Sequence, residues 1–182
     1  IEQLLDNSDH RIRAATVRVV SHQRTRLPQY RRYLSAAVRD QHARVRLEAV
    51  RALSNENDLA AVSEISSVLE YPMDRFLDFA SWRALRDTKN VWLASVESGD
   101  YSFNGDSNKL LYALESVDSG NVAPTLINIL KGLQFNSEGT HRVLRAIASS
   151  GGSDEAGTAI GWILANAKSD KVAGAAILDE LI

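Results

Sequence analysis

Residues 44–54, RVRLEAVRALS, are a near-copy of the earlier stretch 11–21, RIRAATVRVVS. The match runs through Arg11/Arg44, Ile12/Val45, Arg13/Arg46, Val17/Val50, Arg18/Arg51 and Ser21/Ser54. A repeat of this length constrains the fold more than any other feature, because one unit cannot bury its apolar face alone and copies must stack. Val20, Leu53, Leu85, Leu114, Ile147 and Ile177 can be aligned as one recurring core position. Each interval between them has room for two helices and two short turns. The third copy, FLDFASWRAL from Phe76 to Leu85, keeps the small residues and the Arg-x-Leu end but replaces the early arginines. Later copies keep only helical periodicity.

A partner helix precedes each anchored one. Over Pro28–Val38, Tyr30, Leu34, Ala37 and Val38 fall on one stripe at helical spacing. Asp40 sits in the following turn, where its carboxylate can accept N–H groups that open the next helix, and Asn7 holds the corresponding place one unit earlier. Further partner helices are expected over 58–70, 88–97, 121–133 and 154–167. Asp58, Asn121 and Asp154 serve as N-caps and Gly99 and Gly120 as terminators.

Composition agrees with a helical domain. The 182 residues are 45% hydrophobic and 24% charged, with only 3 Pro and 10 Gly, a balance that favours long helices over many short strands. Zero Cys excludes disulfides and thiolate metal sites within this chain. No apolar run approaches the roughly 20 residues of a membrane-spanning helix. The net charge of −2 hides an asymmetry: residues 1–52 carry 11 Arg against 5 acids, and the remainder is acidic. The chain opens on Ile1 inside apparent helix and ends on the apolar AAILDELI. It reads as residues 1–182 of one domain within a longer multidomain chain, continuing into another domain or self-associating at that end.

The pattern Pro28…Asp40…Val45-Arg46…Ala49 resembles the HEAT repeat, whose first helix carries a Pro and whose second opens with Asp-x(4)-Val-Arg. Asn7…Ile12-Arg13…Ala15 follows it with Asn in place of Asp. The resemblance implies an all-α fold, a right-handed α-solenoid (α-α superhelix) of about five to six helix pairs with the second helices on its concave face. Residues 72–93, PMDRFLDFASWRALRDTKNVWL, are also similar to a segment in the HEAT regions of large planctomycete-type bacterial proteins. Those proteins join a sugar-dehydrogenase-like propeller, a HEAT region and a c-type cytochrome domain. That likeness implies an extracytoplasmic or periplasmic setting and a spacer role, with any redox chemistry in other domains.

Four arginines form the main candidate site. Arg18, Arg51, Arg83 and Arg145 each stand two residues before an anchor, so stacking lines them along one side, with Tyr112 interrupting the series. Such a column can grip acidic partner segments, or it can be an internal ladder pairing with Glu48, Asp78 and Asp87. Arg13 and Arg46 belong to the Val-Arg pattern and read as structural.

Other candidates are weaker. The Arg-rich end with Tyr30 and Tyr33 looks like a nucleic-acid footprint, and some HEAT-like DNA glycosylases use Arg, Trp and Asp. The pI of about 6.1 argues against it, and Trp82, Trp92 and Trp162 read as core. Asp100–Leu111 spaces its oxygen-bearing residues like a calcium loop with Gly105 at the sixth place, but Leu111 replaces the closing Glu. An inter-helix loop capped by Asp106 or Ser107 fits better. The four histidines, at 10, 22, 42 and 141, form no ligand pair, and His10 and His42 at adjacent turns read as solvated. The expected function is a non-catalytic scaffold or protein-binding module with no cofactor, whose partner is another protein or neighbouring domains of its own chain.

Overall fold

The computed structural model describes residues 1–117, 125–127, 142–143, 147, 157–158 and 161. Every regular element among the described residues is helical: α1 (Glu2–Leu5), α2 (His10–His22), α3 (Tyr30–Ala37), α4 (Ala43–Leu53), α5 (Leu59–Ser67), α6 (Arg75–Asp87), α7 (Lys89–Glu97) and α8 (Ser107–Glu115). Short 3-10 turns follow α5 at Val68–Glu70 and precede α8 at Phe103–Gly105. The chain divides into two compact units, Ile1–Asn104 and Gly105–Ile182.

In the first unit the two near-copies become α2 and α4, and the third copy becomes α6. Helix α4 packs between α2 and α6, while α3 lies against α2 and α4, and α5 against α4, α6 and α7. The anchors explain this packing: Val20, Leu53 and Leu85 are wholly buried, joined by Val17, Val50, Ala49 and Leu77. Each such Val or Leu side chain taken from water contributes about 1.5–3 kcal/mol. The α3 stripe contributes Leu34, Ala37 and Val38 to the core, with Tyr30 half-buried. Its hydroxyl reaches Glu56 at 3.1 Å. Trp92 is fully enclosed, donates its indole N–H to the Leu85 carbonyl at 2.9 Å, and meets Phe103 edge-on.

The caps recur as regularly as the core. Asp9, His42, Asp74 and Asp106 each occupy the N-cap and accept a backbone N–H with the side chain. Their spacing in the chain is nearly constant, so the caps hold the period through α8, whereas the anchor Leu114 falls early. Leu114 and Val117 are both buried; Val117 stands as far beyond its cap as Val20, Leu53 and Leu85 stand beyond theirs. Asn7 and Asp40 are not themselves the caps. Each stands two residues earlier and accepts the N–H of the capping residue, at 2.9 Å from Asp9 and 2.8 Å from His42.

Asp58 caps α5 through the Ala61 N–H at 2.7 Å, as its sequence position implies. Gly99 follows α7 at φ +82, the left-handed backbone that glycine adopts without a Cβ penalty. Asp106 caps α8, so the calcium-like loop is used as a helix entry. In the second unit Leu110, Leu111, Leu126, Val143 and Ile147 are buried, and Arg142 makes a two-point contact with Glu115. Of the partner helices expected over 121–133 and 154–167, residues 125–127, 157–158 and 161 are described and are helical; Asn121, Asp154, Gly120, Ile177 and Trp162 lie outside the described residues.

Candidate functional site

The arginines of α2, α4 and α6 fall into two sets. Arg13, on α2, is almost wholly buried; its Nε and Nη2 donate to the two Asp40 oxygens at 2.8 Å each. Its Nη1 donates to the carbonyls of Asn7 and Ser8 at 2.8 and 3.1 Å. At the matching place on α4, Arg46 does the equivalent. It donates to the Asp40 carbonyl at 2.6 Å and to the Pro72 carbonyl, and its guanidinium lies 5.4 Å from the Tyr71 ring centre. Pro72 precedes the cap Asp74 as Asp40 precedes the cap His42, so each arginine ties its own entry turn to the corresponding turn of the next copy. A flat, five-donor group suits a turn full of unpaired carbonyls. Burial pushes the Asp40 carboxyl up, but the Arg13 hydrogen bonds, the His42 N–H and the Arg13 charge outweigh it and hold it below its usual range.

Arg18, Arg51 and Arg83 stand on α2, α4 and α6, and their side chains remain 49%, 67% and 66% exposed. Glu48 on α4 is nearly buried beside them, 3.8 Å from Arg18 and 3.9 Å from Arg51. Arg83 pairs along its own helix with Asp87 at 3.4 Å. Two of the structural partners foreseen for the column, Glu48 and Asp87, are therefore in contact with it. The contacts are long or solvent-facing, and exposed pairs of this kind contribute only about 0–1 kcal/mol. Arg145, the fourth member of the column, lies outside the described residues, and Tyr112 belongs to α8 in the second unit.

The surface around the column holds apolar groups that the sequence pattern did not single out. Phe76 and Phe79, one turn apart on α6, are each 60% exposed. With Ala80 and Arg83 they face Leu47 and Arg51 of α4 across a groove of about 570 Å³. On α2, Ile12 and Val19 are also exposed. Trp82 is half-buried rather than core; it stacks on Phe79 and carries the Arg86 guanidinium 5.3 Å from its ring centre. Apolar residue type and helical spacing cannot separate these positions from core; only the packing of neighbouring helices does.

The histidines show a second departure. His10 and His42 stack face to face, with ring centres 3.6 Å apart and planes inclined by 6°. His42 also accepts the Arg44 N–H at 3.2 Å through Nδ1, which requires that nitrogen to be unprotonated. Burial first, then the charge of His10, hold the His42 pKa below its ordinary value, against the pull of Asp40. Among the described residues no three His, Asp or Glu side chains gather in a way that could hold a metal ion. No helix among them is long and apolar enough to cross a membrane.

The arrangement therefore offers three outward guanidinium groups, two exposed phenyl rings and an open groove on successive packed helices. Comparison with protein-family models, with curated proteins and with solved structures finds no match to this chain.

Proposed function

We propose that this chain is a HEAT-like helical-repeat module that binds a protein partner on the face formed by α2, α4 and α6 and carries out no chemistry itself. The observation that supports this reading is the split among the arginines. Arg13 and Arg46 are consumed by buried contacts between successive turns, whereas Arg18, Arg51 and Arg83 stand at the same place on α2, α4 and α6 and stay exposed. A fold that needed those three only for stability would gain little from them, since each pairs weakly. Stacked helix pairs present a long surface made of one helix from each pair, and a right-handed solenoid built from this period would place the three arginines along it.

A chain without Cys allows a clean test. Single cysteines at Arg18 on α2 and at Ala36 on α3 can each be capped with a bulky maleimide. Both positions are exposed. Peptides selected from a random display library against the unlabelled chain should lose binding when Arg18→Cys is capped and keep it when Ala36→Cys is capped. Failure to select any peptide, or displacement only by the cap on α3, would overturn the reading.

A further inference from the structure

The third copy of the repeat differs from the first two at a position that both of them leave exposed. At the repeat position held by Arg11 and Arg44, both exposed, α6 carries Phe76; at the position of Ala14 and Leu47 it carries Phe79. A solvated guanidinium has thus been exchanged for a phenyl ring that stays 60% exposed. Adjacent exposed aromatic rings beside an open groove mark an interaction surface more often than a folding need. The groove's charged groups are Arg51 on one wall and Arg83 on the other, with Asp87 beside Arg83.

Resting on the protein-binding reading above, we infer that the groove between α4 and α6 recognises a partner segment that carries an apolar side chain flanked by carboxylates. The apolar group covers Phe76 and Phe79 against Leu47 and Ala80. The flanking carboxylates take Arg51 and Arg83, whose ion pairs among the described residues are a 3.9 Å contact to Glu48 and an exposed bond to Asp87. A planar guanidinium accepts a carboxylate through two parallel hydrogen bonds, a better arrangement than either arginine has in the unbound chain.

A nucleic acid fits the same groove less well. Glu48 and Asp87 lie beside Arg51 and Arg83, so the groove offers no unbroken cationic track for a phosphate backbone.

The experiment uses the peptides selected from the random library, together with a labelled oligothymidine of 20 nucleotides as a second probe. Binding is measured by fluorescence anisotropy to the wild-type chain, to R51Q/R83Q and to F76S/F79S, with circular dichroism showing that each variant is folded. The expected result is a selected set enriched in Asp or Glu beside Leu, Ile or Phe, weakened at least tenfold by either double variant and weakened further by added salt. Peptides that bind the α2–α4–α6 face but lack acidic character, or that ignore both double variants, would sink this inference and leave the protein-binding reading standing. Binding of the oligothymidine in place of any peptide, or of neither probe, would sink both.

Discussion

Arg13 on α2 and Asp40, two residues before the cap of α4, meet through two parallel hydrogen bonds of 2.8 Å, with 6% and 14% of their side chains exposed. Because Asp40 also accepts the His42 N–H, this one carboxylate joins the entry turns of α2 and α4. Removing one partner leaves the other charge buried without compensation, which costs about 3–5 kcal/mol. Arg13→Ala and Asp40→Ala should each lower the unfolding free energy by that order in urea titrations. The double variant should lose less than the sum of the two, since residues that share one contact are coupled. Additive losses would show that the two side chains act independently.

The exposed arginines should behave in the opposite way. Replacing Arg83 by Gln should change stability by no more than about 0.5 kcal/mol, and Arg51→Gln by no more than about 1 kcal/mol, because the nearly buried Glu48 keeps its contact with Arg18. Arg46→Lys, although it keeps the charge, should cost about 1–3 kcal/mol because one ammonium group cannot serve the Asp40 and Pro72 carbonyls together. Thermal denaturation of the three variants side by side checks the division. A destabilised Arg51→Gln would mean that the column belongs to the frame of the fold.

The same division shows how much was legible in the sequence. The repeat period, read from Arg13/Arg46 and the anchors, is enough to place α2, α4 and α6 and their buried sides, because helical geometry converts spacing directly into a face. It also places Arg18, Arg51 and Arg83 together. It does not show that Phe76 and Phe79 face solvent, since apolar residues on a helix satisfy a core pattern equally well until a neighbour covers them or does not. The His10–His42 stack was hidden for a related reason. It depends on how closely two entry turns approach, and each histidine alone looks like an ordinary polar turn residue.

Leu53 tests the register on which all of this depends. It is wholly buried on α4, and truncation to Ala should remove about 2–5 kcal/mol through lost transfer energy and the cavity left behind. Gly99, at φ +82 and with nothing within 4 Å of an added Cβ, offers a contrasting case. Gly99→Ala should cost about 1–2 kcal/mol from backbone strain alone. Chemical denaturation distinguishes the two, and a loss below about 1 kcal/mol at Leu53 would place α4 in a different register.

The stacked histidines give the fold a pH dependence of definite sign. His42 has a pKa lowered from 6.5 in the folded chain, so the unfolded chain binds a proton more readily, and stability present above pH 6.5 is lost as the pH falls through the folded value. Protonation strikes twice at this place. It turns the Nδ1 that accepts the Arg44 N–H into a donor, and it sets a positive ring 3.6 Å from His10 and near Arg13 and Arg46. Asp40 opposes this, but its own lowered pKa means that its contribution disappears only below about 3.8, outside the window in which His42 titrates. His42→Ser keeps an oxygen able to cap α4 while removing the titrating ring. Unfolding free energies measured from pH 7.5 to 5 should therefore fall more steeply for the wild-type chain than for His42→Ser, with a difference in slope of at most about 1.4 kcal/mol per pH unit. Parallel curves would show that His42 keeps its ordinary affinity for protons and that the stack places no charge-dependent strain on the joint between α2 and α4.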